Sequence, residues 1–144
     1  MPDDDSASDP PNDGEESPSS STVERELQQA RQALSDADVA LDAGLSDAAI
    51  VNRLYYAGFH AVQAALYDRG HEPTSHGGVL SLFGSEIVAA GDAPRERGRF
   101  LNKLSELRRQ ADYGYEAIDE DVDALLRRTE RLVSEMESLC DSID

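Results

Sequence analysis

The sequence predicts an all-α protein, an up-and-down bundle of four substantial helices with one additional short helix. Three observations carry that prediction. Apolar residues recur at three- and four-residue steps in four separate runs, the period of a helix with one buried face. No segment alternates apolar and polar residues over a useful length, so no sheet is expected. Gly44, Gly70, the Gly91–Pro94 stretch and Gly114 fall between the runs, which leaves short connections and therefore antiparallel neighbours.

In chain order, residues 1–22 are almost entirely Asp, Glu, Ser, Pro, Gly and Asn, with no basic residue. Such a composition buries too little surface to offset the entropy of ordering it. Residues 1–22 are therefore expected to form a disordered acidic tail, and 23–144 the folded domain. Thr22 opens the first helix, with Glu24 and Glu26 expected in the first turn, where the helix dipole favours them. Leu27, Ala30, Leu34, Ala37 and Leu41 carry it to about Ala43, and Gly44 ends it. The second helix runs from about Ser46 to Gly70. His71–Gly78 reads as a loop by its proline and glycines, and Thr74 or Ser75 then caps a short helix through Val79, Leu80, Phe83, Ile87 and Val88. Pro94 suits the first turn of the next helix, which carries Phe100, Leu101, Leu104, Leu107 and Ala111. Asp119–Asp123 opens the last helix, apolar along Val122, Leu125, Leu126, Leu132, Val133, Met136 and Leu139.

The second helix has two faces that differ from a solvated surface. Ile50, Val51, Leu54, Tyr55, Gly58, Ala61, Val62, Ala65 and Leu66 cluster on a core face. The other side carries Arg53, Tyr56, His60, Gln63 and Tyr67 where lysine and glutamate would be ordinary. A helix of this kind touches a core on one side and a partner, ligand or substrate on the other.

Net charge is −17 and the pI is near 4.3, with twelve arginines and a single lysine, Lys103. Dense carboxylate with little lysine is the composition expected of a salt-filled cytoplasm, where ions screen self-repulsion, and points to a haloarchaeal source. It argues against broad, nonspecific nucleic-acid binding at low salt, though not against a local basic site. No run is long and apolar enough for a transmembrane helix, and no signal peptide is evident, so a cytoplasmic location without membrane association is expected. Cys140 is the single cysteine, which excludes an internal disulfide and a multi-cysteine metal site. Walker, Rossmann, His-Glu-x-x-His and Gly-x-Ser-x-Gly patterns are missing, and no cofactor or metal is expected.

The helix from Pro94 holds a second anomaly. Arg108 projects inside the apolar stripe beside Leu101 and Leu104, and a guanidinium facing inward requires a partner, which Asp112 one turn on is placed to supply. Arg95, Arg99 and Lys103 recur at four-residue steps on the same helix, either as a phosphate-attracting stripe or as ion pairs with Glu96, Glu106 or a neighbour's acids. His60 shares a face with Arg53, so imidazole and guanidinium could meet one RNA phosphate, the first moving a proton and the second holding the anion. The alternative for His60 is packing between Tyr56 and Tyr67. His76 is expected to help close its loop onto the bundle.

Three ordered motifs resemble the HEPN superfamily, in particular its small stand-alone prokaryotic branch. They are Arg53-Leu-Tyr-Tyr-Ala-Gly-Phe-His60, Pro73-Thr-Ser-His-Gly-Gly-Val79 and Leu107-Arg-Arg-Gln-Ala-Asp-Tyr113. The resemblance covers about residues 23–143. It implies a helical bundle, homodimers, and pairing with a minimal nucleotidyltransferase as toxin and antitoxin. It further implies a metal-independent ribonuclease whose arginine is followed after four to six residues by histidine, with a tyrosine two further on. Arg108 matches that arginine, while the histidine position falls on Tyr113 and the tyrosine position on Tyr115. Tyrosine, with an ordinary pKa near 10, is a poor proton-transfer group at neutral pH, and Asp112 is a poor substitute acid. His60, with Arg53, is the residue expected to stand in, within one chain or across a dimer. Tyr115 is the position where nucleotide attachment would control a protein of this kind. The alternative is a non-catalytic HEPN module that binds a nucleotide or a protein partner.

Overall fold

The structure, a computed structural model, describes residues 20–114 and 117–140. Its helices are α1 (Ser20–Asp42), α2 (Asp47–Asp68), α3 (His76–Leu82), α4 (Arg95–Tyr113) and α5 (Val122–Leu139), with a π-helical turn at Phe83–Val88 directly after α3. Among the described residues there is no strand, so the all-α expectation holds.

Helix α2 is the centre, packed against α1, α4 and α5. Ser46 caps it by accepting from the Ala49 N–H at 3.1 Å, and Gly70, at φ 88°, turns the chain away at the far end. Between these ends Ile50, Val51, Leu54, Tyr55, Ala61, Val62, Ala65 and Leu66 are buried almost completely. Gly58 lies at the crossing point. A Cβ there would meet methyl carbons of Leu101 and Leu132 at 3.2 Å each, so the missing side chain lets α4 and α5 approach α2 together. Helix α1 lies against α2 through small residues, with Ala30, Ala33, Ala37 and Ala40 all buried. In α5 the buried Thr129 hydroxyl donates to the Leu125 carbonyl at 2.8 Å, so its polarity is satisfied inside its own helix.

Polar ties join the outer elements. Arg97 of α4 makes a two-pronged bridge to Glu135 of α5, at 2.7 and 2.9 Å. Arg69 at the end of α2 donates to the Glu86 carbonyl at 3.0 Å and to Asp92 Oδ2 at 2.7 Å.

Some boundaries differ from expectation. Ser20, Ser21 and Thr22, assigned by composition to the acidic tail, are helical in α1, while residues 1–19 lie outside the described residues. With the helix already running at Ser20, Glu24 and Glu26 fall beyond its first turn, and Glu26 is used for a contact to α2 instead. The single short helix expected through Val88 is α3 followed by a wider turn, in which the Gly84 carbonyl is taken by the Ala89 N–H five residues on, at 2.9 Å. Pro94 occupies the cap of α4 rather than its first turn.

Candidate functional site

The polar face of α2 meets α4 and the start of α3 around one ring, that of Tyr56. Residues 53, 56 and 60 share a helix face by their spacing of three and four. Tyr55 and Phe59 stand beside them at the edge of the core. The Arg53 guanidinium carbon lies 5.5 Å from the Tyr56 ring centroid, and that of Arg108, reaching across from α4, lies 5.9 Å from it and 5.0 Å from the Tyr55 centroid. All three distances are in the range where a cation is attracted to an aromatic face. The rings of His60 and His76 lie 6.2 and 6.0 Å from Tyr56, and 5.4 and 4.3 Å from Phe59. Two cations and two imidazoles thus surround one aromatic patch.

The two arginines are held differently. Arg53 donates to the Asn52 side-chain oxygen at 3.0 and 2.8 Å and pairs with no carboxylate among the described residues. Arg108, with its side chain 21% exposed, donates from Nη1 to Asp112 Oδ2 at 2.9 Å, the inward arginine and its partner expected from the sequence. Its Nε is buried without an acceptor, so the fold carries a desolvated donor here. Structure alone does not require such a group.

The histidines differ as well. His60 Nδ1 is 2.7 Å from Glu26 Oε1 on α1. A carboxylate only accepts, so this contact places a proton on Nδ1 and leaves Nε2 as the other reactive nitrogen. His60 packs between Tyr56 and Phe59; Tyr67, considered above as its neighbour, instead takes a hydrogen bond from Gln63. His76 Nδ1 is 3.0 Å from the Tyr55 hydroxyl. One face of its ring is covered by Phe59 although the residue as a whole is exposed, and this cover lowers its pKa below the usual 6.5, with Arg108 and His60 adding repulsion. His76 is thus neutral at pH 7. Burial raises the Tyr55 pKa above its ordinary value of 10, against the opposing pull of Arg108, so its phenol keeps its proton.

His76 was missed as a site residue. Its place in a Pro- and Gly-rich stretch pointed to a loop, yet Ser75 caps α3 by accepting from the Gly78 N–H at 2.9 Å, which puts His76 on the first helical residue. Ser75 as cap, one of the two alternatives open in the sequence, already placed His76 there. The remaining candidates lie elsewhere. Arg95 is thirteen residues before Arg108 on α4, roughly 20 Å along the axis at 1.5 Å per residue. Lys103 is paired with Glu120 at 2.9 Å, and Glu106 pairs with Arg109 rather than with the stripe. Arg95 and Arg99 remain without a carboxylate among the described residues. Tyr113, at the histidine position, is 69% exposed at the end of α4, and Tyr115 lies outside the described residues. Among the described residues no three His, Cys, Asp or Glu side chains converge as metal ligands. Among the described residues no helix is long and apolar enough to cross a membrane.

Fold and site together define a class: an all-α bundle whose central helix presents an arginine- and histidine-bearing aromatic face. The chain belongs to the HEPN domain family, whose model matches residues 23–139. It is 35% identical to a UPF0332 protein of Thermotoga maritima over 84% of this chain and 92% of that one. It is 39% identical to a UPF0332 protein of Gloeobacter violaceus over 61% and 69% of the two chains. A protein of Methanocaldococcus jannaschii named "Putative toxin" is 33% identical over 58% of this chain and 63% of its own.

Proposed function

We propose that this protein is the toxin-like component of a pair with a minimal nucleotidyltransferase, and that it acts on RNA as a metal-independent ribonuclease. The observation that carries this is the convergence of Arg53, Arg108, His60 and His76 on Tyr56 in a molecule of net charge −17. In so acidic a chain, an arginine without a carboxylate partner among the described residues, set beside a second guanidinium and two imidazoles, favours an anion held there. The toxin names of two M. jannaschii relatives support the same direction.

In this mechanism Arg108 and Arg53 hold the scissile phosphate and the charge that develops on it. Asp112 orients Arg108. His76, neutral at pH 7, takes the 2′-hydroxyl proton as the 2′-oxygen bonds to phosphorus. His60, held by Glu26, gives a proton to the departing 5′-oxygen. The products are a 2′,3′-cyclic phosphate and a 5′-hydroxyl end, and no metal is consumed or required. Tyr113 replaces the family histidine in position but not in chemistry. Tyr115 is the position for nucleotide attachment by the partner enzyme, and the active form is a cytoplasmic homodimer.

The test is incubation of cellular RNA with the full chain in multimolar KCl and EDTA, beside folded His60→Ala, His76→Ala and Arg108→Met proteins. Cleavage with cyclic-phosphate ends by the parent, lost in the variants, is the expected result. Intact RNA throughout would overturn the ribonuclease. It would favour the second reading, a HEPN module that binds a nucleotide or protein without cutting, which the tyrosine at the histidine position supports. Mass spectrometry after co-expression with the partner enzyme checks Tyr115, and an unmodified tyrosine would remove that mode of control.

A further inference from the structure

His60 stands on the wall between two recesses. One, of about 220 Å³, is lined by Gln29, Gln32, Ala33, Arg53, Tyr56 and His60. The other, of about 260 Å³, is lined by residues including Phe59, His60, Gln63, Pro73, Ser75 and His76. Each is smaller than the roughly 300 Å³ at which pockets begin to take whole drug-sized ligands. That is the scale of a single nucleoside. Their linings are unequal. The first joins an aromatic ring and a guanidinium to two carboxamides, each of which offers both donor and acceptor. The Gln32 amide nitrogen is engaged by Asp36 at 3.0 Å, whereas Gln29 has no protein partner among the described residues. The second has an apolar floor of Phe59 and Pro73 with hydroxyls, an imidazole and the Gln63 carboxamide, whose nitrogen is already engaged by the Tyr67 hydroxyl.

We infer that these recesses are adjacent nucleoside subsites for single-stranded RNA, with the phosphate between them at His60, and that Gln29 and Gln32 read the base on the Tyr56 side. The inference rests on the ribonuclease reading and deepens it. Single strands are recognised by stacking unpaired bases on aromatic or guanidinium planes and by hydrogen bonds to their edges. Tyr56 supplies the plane, and the carboxamides supply the edge contacts. The opposite recess holds its base by apolar contact and discriminates less. Selectivity should therefore sit on one side of the cut.

The probes are the sixteen 2′-O-methyl RNA dinucleotides, which cannot be cleaved through the 2′-oxygen, titrated into the full chain and into a Gln29→Ala/Gln32→Ala protein. A random RNA pool is sequenced at its cut ends in parallel. The parent should bind dinucleotides unequally, with preference at one position only and on the order of tenfold between best and worst base. The double variant, confirmed folded by its helical circular dichroism, should lose that preference in both experiments. Binding and cutting with preference unchanged in the double variant would overturn the subsite assignment and leave the ribonuclease intact. A parent that binds no dinucleotide and cuts no RNA would overturn both.

Discussion

Replacing Arg108 with methionine separates the work of this side chain in catalysis from its work in folding. Methionine keeps an unbranched apolar stem of similar reach and removes the charge. Three terms change in stability. Loss of the contacts to the Tyr55 and Tyr56 rings, at 5.0 and 5.9 Å, costs about 0.5–2 kcal/mol. Loss of the bond to the half-exposed Asp112 costs about 0.3–0.5 kcal/mol, as for other helix pairs one turn apart. Against these, the buried Nε that finds no acceptor disappears, and relief of such a donor returns about 1–3 kcal/mol. The sum centres near zero and lies within about 2 kcal/mol of it, or less than about 12 °C in melting temperature for a domain of this size. Cleavage should respond very differently, since removal of one charged donor from a developing anion lowers rates by about 100- to 1,000-fold. Melting curves and single-turnover cleavage on the same samples measure both. A variant that melts far earlier while cutting RNA at the parental rate would refute the reasoning and make Arg108 a structural residue.

Other elements make separate predictions. The His76 pKa is lowered in the fold, so the unfolded chain binds the extra proton more readily, and stability present above pH 6.5 is lost as pH falls below it. His76→Gln should remove that part of the loss, read as urea midpoints at pH 7.5 and 5.5, and equal losses in both proteins would count against it. Gly58→Ala gains about 1 kcal/mol of helix propensity but presses on the fully buried Leu101 and Leu132 from two helices. The net should be a destabilisation of up to about 2 kcal/mol, and a stabilised variant would mean that α4 and α5 can yield. Glu135→Gln breaks the two-pronged bridge to Arg97 and should cost about 1 kcal/mol, whereas Glu96→Gln, at a more exposed contact of the same arginine, should shift the urea midpoint little. Raising KCl from about 0.1 to 1 M shortens the screening length from about 10 to 3 Å. The midpoint should rise, and a flat profile would show that the carboxylates do not repel one another appreciably.

Much of the architecture was legible because helical period is a local property. The core face of α2 and the stripes of α4 and α5 each repeat within one segment, and the spacing selects most of their buried residues, missing Ala57, Phe59, Ala64 and Thr129. Arg108 was legible for the complementary reason, a charge that breaks a stripe. The site was only half legible. Glu26 and His60 are 34 residues apart, and no pattern within either helix announces that they meet. Tyr55 was assigned to the core by its place on the wheel, and its ring is fully buried, yet its hydroxyl ends at His76, 21 residues on. Side chains of this length carry a buried body and a polar tip, and the wheel records only the body. The π-helical turn escaped because its widening depends on which amide reaches the Gly84 carbonyl, a choice made in three dimensions.

The position of α2 has a consequence for control. A helix that touches every other long helix opens only when the whole domain opens, so its amides should exchange with solvent at the global unfolding free energy. Arg53, Tyr56 and His60 ride on that helix and inherit its rigidity. Helix α2 is continuous from Asp47 to Asp68, so these three residues have no hinge within their own helix. A molecule that silences this surface can therefore act as a lid or a chemical plug, or by moving Arg108 and His76 on α4 and α3, without opening α2, and hydrogen exchange of α2 should be as slow in the silenced protein as in the free one.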